Sequence, residues 1–151
     1  MVPLFNEAGF LPGGIHELRW SELEVDFATN YQRQKLLKGL LSGLYALRAA
    51  GCERAYLDGS FVTAKPFPND IDICYESGNM NFSLLDPVLK DFSSFRSAQK
   101  HKYGCEFFEA EAMAVPDGTI YLDFFQQNRD GTQKGIIAIN LTDLPEEVSN
   151  D

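Results

Sequence analysis

The sequence predicts an α/β (α+β) fold, a small mixed β-sheet with helices packed mainly on one face. Three features carry this expectation. Leucines repeat at helical spacing through residues 31–49. Two short strand-like segments, Arg54–Asp58 and Asp70–Tyr75, flank a Gly-Ser turn and a proline-containing loop. Apolar segments separated by strong turn signals then follow between Cys105 and Leu141.

Residues 1–18 read as an irregular lead, because Pro3, Pro12, Gly13 and Gly14 interrupt any period. Ser21 and Glu24 have capping-box spacing, which predicts a short helix over Glu22–Phe27. Thr29 or Asn30 caps the next helix, Tyr31–Ala49. Leu36, Leu37, Leu40, Leu41, Leu44 and Leu47 form its core face, with Arg33, Lys35 and Lys38 mainly on other faces. Gly51 is the stop.

Arg54–Asp58 follows as a strand, Gly59-Ser60 turns the chain, and Phe61–Ala64 fits one helical turn. Lys65–Asn69 holds two prolines and is a loop. Asp70–Tyr75 is the second strand, and Leu84–Phe95 a helix with Pro87 in its first turn. Cys105–Met113 and Thr119–Gln126 are expected as strands joined through Pro116-Asp117-Gly118, and Ile136–Leu141 as a last strand. The polar tail from Glu146 is expected to fray.

The length of 151 residues suits one domain with a real core. With 44% hydrophobic and 23% charged residues, the chain has the composition of a soluble globular protein. No apolar run approaches the ~20 residues of a membrane helix, and the N-terminus lacks the pattern of a signal peptide. A net charge of −9 argues against a general nucleic-acid coat. Cys52, Cys74 and Cys105 are widely spaced and read as buried thiols in a reducing compartment, so the expected location is cytoplasmic.

The chemistry concentrates in LDGSFVTAKPFPNDIDICYE, residues 57–76. Strand residues alternate between faces, so Asp70 and Asp72 point the same way. Two like charges side by side repel, and a divalent cation removes that cost. Mg²⁺ prefers one or two protein carboxylates, with waters and substrate phosphates completing its shell. Gly59 lets the backbone approach a phosphate, Ser60 adds a hydroxyl, and Lys65 in the following loop supplies a point charge.

Two-metal chemistry needs a third acid. Asp123 in TIYLDFFQ is the choice, flanked by Tyr121 and Phe125, ahead of Glu109 and Glu111. Asp58 reads as shaping the Asp-Gly turn, and Lys102, Arg129 and Lys134 as solvated surface. Gly-Ser alone is a common turn, and Asp-x-Asp alone is common on surface strands. An EF-hand does not fit, since Tyr75 and Asn81 stand where its glycine and glutamate belong. Together, at this spacing, the two motifs point to a metal-nucleotide site.

This order resembles the signature of the DNA polymerase beta-like nucleotidyltransferase superfamily: a strand, Gly59-Ser60 opening a short helix, the Asp70-Ile71-Asp72 strand, and a later acid. The size resembles its minimal bacterial and archaeal members. LPGGIHEL, GSFVTAKPFPNDIDIC and DFFQQNRDGTQKGII are similar to a group of bacterial nucleotidyltransferase-like proteins. The superfamily likeness spans roughly residues 31–126.

The resemblance implies that Ser60 binds a nucleoside triphosphate, and Gly59 and Lys65 are expected beside it from the turn and the loop. It implies that Asp70 and Asp72 hold Mg²⁺ (or Mn²⁺), and that Asp123 binds a second metal or acts as base. The acceptor hydroxyl would belong to a partner protein, as in a toxin–antitoxin or phage-defence module, or to RNA. The small residue and arginine usual after the serine are replaced here by Phe61-Val62-Thr63. The alternative expectation is therefore a nucleotidyltransferase fold without turnover, acting as antitoxin or regulatory partner.

Overall fold

The computed structural model describes residues 3–147, and the end of the tail expected to fray, from 148 on, lies outside them. Five strands make one mixed sheet in the order β1-β5-β2-β3-β4. They are β1 (Gly14–Glu17), β2 (Arg54–Asp58), β3 (Asp72–Tyr75), β4 (Glu106–Glu109) and β5 (Gly135–Asn140). The β1–β5 and β3–β4 pairs are parallel, and β2 runs antiparallel to both β3 and β5. No helix among the described residues is long and apolar enough to cross a membrane.

One face of the sheet carries Ala55, Leu57, Ile73, Tyr75, Phe107, Ile137 and Ile139 into the main core. The helices α1 (Trp20–Asp26), α2 (Tyr31–Ala49) and α3 (Ser93–Tyr103) contribute Leu23, Leu40, Leu44, Leu47 and Tyr103 to it. The opposite face carries Tyr56, Cys74, Ile136 and Ala138 and is covered by Ala110, Tyr121, Leu122 and Phe125. That cover lies in the connection from β4 to β5, which includes the single-turn helix α4 (Tyr121–Phe124). The helices therefore lie mainly on one face, as expected.

The bounds of α2 coincide with the expectation, and Asn30 caps it by accepting from the Arg33 backbone N–H at 2.9 Å. The helix lies close to the sheet at Gly43, where a Cβ would stand 2.4 Å from the Phe107 ring. The first helix starts at Trp20, earlier than expected, because Glu22 Oε1 accepts from the Arg19 backbone N–H at 3.0 Å.

Four expectations are corrected. Gly14–Glu17 is a strand, an edge paired only with β5, although the glycines read as breakers. Residues 84–95 form no helix. Phe82–Leu84 and Pro87–Lys90 are 3₁₀ turns, the second started by Asp86 accepting from Val88 N–H at 3.0 Å. The longer helix comes later, as α3. Ser94, Phe95 and Arg96 hold left-handed backbone angles, so its regular part follows them. The expected hairpin over 105–126 shrinks to β4 and one bridge between Met113 and Ile120, and Tyr121–Phe124 is helical.

The fourth concerns Arg33, which is buried at 4% exposure rather than solvated. No carboxylate among the described residues pairs with it. Its guanidinium donates to the carbonyls of Phe27 (3.1 Å), Phe61 (2.8 Å), Thr63 (2.7 Å), Lys65 (2.5 Å) and Pro66 (3.3 Å). It also lies over the Phe61 ring, 5.2 Å from its centre. Asn30 and Gln32 donate to Pro66 and Pro68, so the first turn of α2 holds the whole loop 61–68.

Replacing Arg33 by Met leaves these carbonyls without donors. The expected loss is about 3 kcal/mol of stability, read by urea denaturation. The amides of residues 61–65 should exchange faster before the rest of the chain does. A loss below about 1 kcal/mol would show that the loop is held by other means.

Candidate functional site

The alternation of the strands builds the site. Asp58 closes β2 and has the facing of Tyr56; Asp72 opens β3 and has the facing of Cys74. They are register partners across the antiparallel pair. Glu106, the first residue of β4, is the partner of Asp72 on the other side. Three carboxylates thus stand in a row at one end of the sheet, on the face opposite α2.

The Gly59-Ser60 turn packs directly on the start of β3. Gly59 has φ of +89°, and a Cβ there would stand 3.0 Å from the Asp70 carbonyl oxygen and 3.2 Å from the Asp72 nitrogen. Only glycine meets both demands without strain. Ser60–Val62 then form one 3₁₀ turn, as expected of this segment. The Ser60 backbone N–H donates to Asp70 Oδ1 at 2.9 Å, and the Ser60 hydroxyl donates to the same oxygen. The amides of Asn69 and Asp70 donate back to Ser60 Oγ at 3.2 and 3.3 Å. The turn and the Asp-x-Asp motif are locked by these bonds, with Asp70 in the place an anion would take.

Two cavities meet over this lock and share Ser60, Asp70 and Asp72. The larger, about 1150 Å³, is lined also by Asp58, Phe10, Phe124, Arg129 and Lys134. The smaller, about 620 Å³, is lined also by Lys65, Asn69, Lys100 and Glu106. Lys134 pairs with Asp58, its Nζ 2.9 Å from Oδ1 and 3.1 Å from Oδ2. Lys100 pairs with Glu106 at 2.8 Å.

Asp72 is given no such cation and no side-chain hydrogen bond among the described residues. Burial, followed by the charges of Asp70, Asp58 and Glu106, pushes its carboxyl up to about 7. Burial also raises Asp58, against the opposing pull of Lys134. Asp58 Oδ1 is buried and lacks a donor in hydrogen-bonding geometry.

The structure therefore brings together Gly59, Ser60, Lys65, Asp70 and Asp72, five of the six residues predicted from sequence. Asp123 is the exception. It sits on α4 rather than on a strand, is exposed, and lines a separate depression with Gly14, Thr119 and Gln126. Its aromatic neighbours turn elsewhere: Tyr121 and Phe125 pack on Phe108. Asp58 and Glu106 occupy the flanks of Asp72 instead. Glu109 stands at the other end of β4, beside Tyr75, and Glu111 is exposed.

The signal for Asp58 was its parity with Asp72 across a Gly-Ser turn. Glu106 opens β4, and Lys134 directly precedes β5.

No group of three His, Cys, Asp or Glu side chains among the described residues is placed to hold an ion alone. The donor set still suits a hard divalent cation. Asp58 and Asp72 are register neighbours, Asp72 has no ion-pair partner among the described residues, and Mg²⁺ commonly takes one or two carboxylates and finds the rest on substrate, with Lys134 the cation already in contact with Asp58.

The family model of DUF6932, a family of unknown function, matches residues 3–140. The chain belongs to the DUF6932 family. Neither curated proteins nor solved structures give a match. In this DUF6932 member, the matched segment contains both cavities and every residue of the carboxylate row.

The raised Asp72 carboxyl has a sign. The folded chain keeps that proton longer than the unfolded chain does, so this group's contribution is present at low pH. It is lost as pH rises from about 4 to about 7. In metal-free buffer, Asp72→Asn should therefore gain stability over the parent across that window, by up to about 4 kcal/mol. Thermal melts at pH 4.5 and pH 8 check this, and a gap that does not widen with pH would refute the crowding of charge around Asp72.

Proposed function

We propose that this protein is a Mg²⁺-dependent nucleotidyltransferase. It would move a nucleoside monophosphate from a nucleoside triphosphate to a hydroxyl of a protein or RNA acceptor. One observation carries the reading: Asp58 and Asp72 stand side by side, beside a glycine-serine turn, where two cavities meet. A single small ligand needs one cavity, whereas group transfer needs two substrates converging on one point.

The larger cavity suits the nucleotide. Phe10 and Phe124 offer apolar faces for a base, and Arg129 and Lys134 offer cations for phosphates. The smaller cavity suits the acceptor, with Glu106 beside Asp72 positioned to take the proton of its hydroxyl. The acceptor oxygen forms a bond to the α-phosphorus, the α–β bridging bond breaks, and pyrophosphate leaves. The divalent ion would supply neutralisation of the carboxylate pair and of the phosphate charge. Asp70 and Ser60 hold the turn against β3, so the carboxylates keep their places through the step.

A second reading is a nucleotidyltransferase fold without turnover, working as an antitoxin or regulatory binding partner. The Lys134–Asp58 pair favours it, because an internal cation already stands at the proposed metal position.

Incubation with α-³²P-labelled nucleotides, Mg²⁺ or Mn²⁺ and cell lysate separates the two. Transfer predicts labelled protein or RNA, with labelling reduced at least 100-fold in Asp72→Asn and Asp58→Asn, as loss of electrostatic stabilisation at a reacting centre requires. Labelling that survives both substitutions would overturn the transferase reading. Nucleotide binding without label, with a partner protein still co-purifying, would favour the second.

A further inference from the structure

We infer that Lys134 is a displaceable internal cation, holding Asp58 in the free protein and moving to the nucleotide's phosphates when a divalent ion binds. This rests on the function proposed above and concerns how that site is regulated.

The Lys134 side chain is only 19% exposed and that of Asp58 only 8%. The ammonium lies within 3.1 Å of both carboxylate oxygens. Lys134 Nζ donates a hydrogen bond to Asp58 Oδ2 at 3.1 Å, whereas its 2.9 Å contact with Oδ1 lacks hydrogen-bonding geometry, so one directed bond and one contact of charge hold the pair. A lysine suits such a place. Its ammonium is a point charge on a flexible four-carbon stem, without the fixed fork that makes arginine–carboxylate pairs hard to part.

A divalent ion between Asp58 and Asp72 and the Lys134 ammonium cannot share that space, since like charges at contact in a partly buried site repel strongly. The backbone of Lys134 stays tied, its N–H donating to the Gln126 carbonyl at 2.9 Å. The side chain can therefore swing but not leave. It swings within the larger cavity, which it lines together with Arg129. A triphosphate in that cavity offers the released ammonium a new anion. Metal alone must expel Lys134 with no compensation; metal with nucleotide gives it somewhere to go. The two ligands should thus bind with positive coupling.

The test uses Mn²⁺ as probe, followed by electron paramagnetic resonance, with and without a non-hydrolysable ATP analogue. Wild type should bind Mn²⁺ weakly alone and at least tenfold tighter with the analogue. Lys134→Met should bind Mn²⁺ alone at least fivefold tighter than wild type, with the coupling reduced below threefold. Equal or weaker Mn²⁺ binding by Lys134→Met overturns the inference and leaves the function standing. Failure of both proteins to bind Mn²⁺ under either condition overturns the function and the inference with it.

Because Lys134→Met leaves Asp58 bare in a buried place, a second measurement uses the wild-type chain. The ¹⁵Nζ resonance of Lys134, assigned by its absence in Lys134→Arg, should shift when Mg²⁺ and the analogue are added together. A resonance unmoved at saturation overturns the exchange.

Discussion

The site depends on a buried guanidinium. Arg33 has no carboxylate partner among the described residues, and instead gathers carbonyls from Phe27 and from the loop 61–66. Hydrogen bonds from a charged donor are the stronger kind, and each removes a carbonyl's need for water. A loop with two prolines has few backbone N–H groups of its own to satisfy those carbonyls. Arg33 supplies the donors from outside. The loop it fixes is the one that returns the chain from Ser60 to Asp70, so α2 sets the geometry of the site without lining its larger cavity.

That fixed return allows the carboxylates to be crowded. Asp58, Asp72 and Glu106 face the same way on neighbouring strands, an arrangement that unfolded chain would never choose. Asp58 and Glu106 are each answered by a lysine, Lys134 and Lys100. Asp72, between them, forms an ion pair with neither, and burial with the neighbouring carboxylates pushes it up to about 7 against the weaker pull of Lys134. Stability is given up at one residue in the middle of the row, a pattern that marks functional sites.

The sequence made legible those parts that depend on local pattern. The leucine spacing of α2, the Asn30 cap, the strand Arg54–Asp58 and the Gly59-Ser60 turn are each written in adjacent residues. What failed was tertiary. The polar run SSFRSAQKHKY buries only Gln99 and Tyr103, so α3 has too narrow an apolar face to announce itself. Gly13-Gly14 read as a break because nothing local says that β5 will pair with the edge strand beginning there. Asp123 fits a strand pattern, yet Tyr121 and Phe125 gain more by packing on Phe108 as neighbouring turns of a helix.

Asp58 and Asp123 show how strand register separates two acids that look alike in sequence. Both are single aspartates in apolar surroundings, and periodicity treats them alike. The difference lies in pairing: Asp58 is opposite Asp72 by strand register, whereas Asp123 is on a segment that joins no ladder. Antiparallel pairing through a glycine turn places the residue before the glycine beside the first strand residue after the return. For a chain of this pattern, the acid ahead of the Gly-Ser turn and the second acid of Asp-x-Asp are neighbours whenever the two strands pair in that register. Lys134 follows by the same logic, since β5 lies on the other side of β2 and its approach passes over Asp58. The geometry of the carboxylate row is thus a property of sheet order, and the charge that occupies it in the free protein is set by the residue that leads into β5.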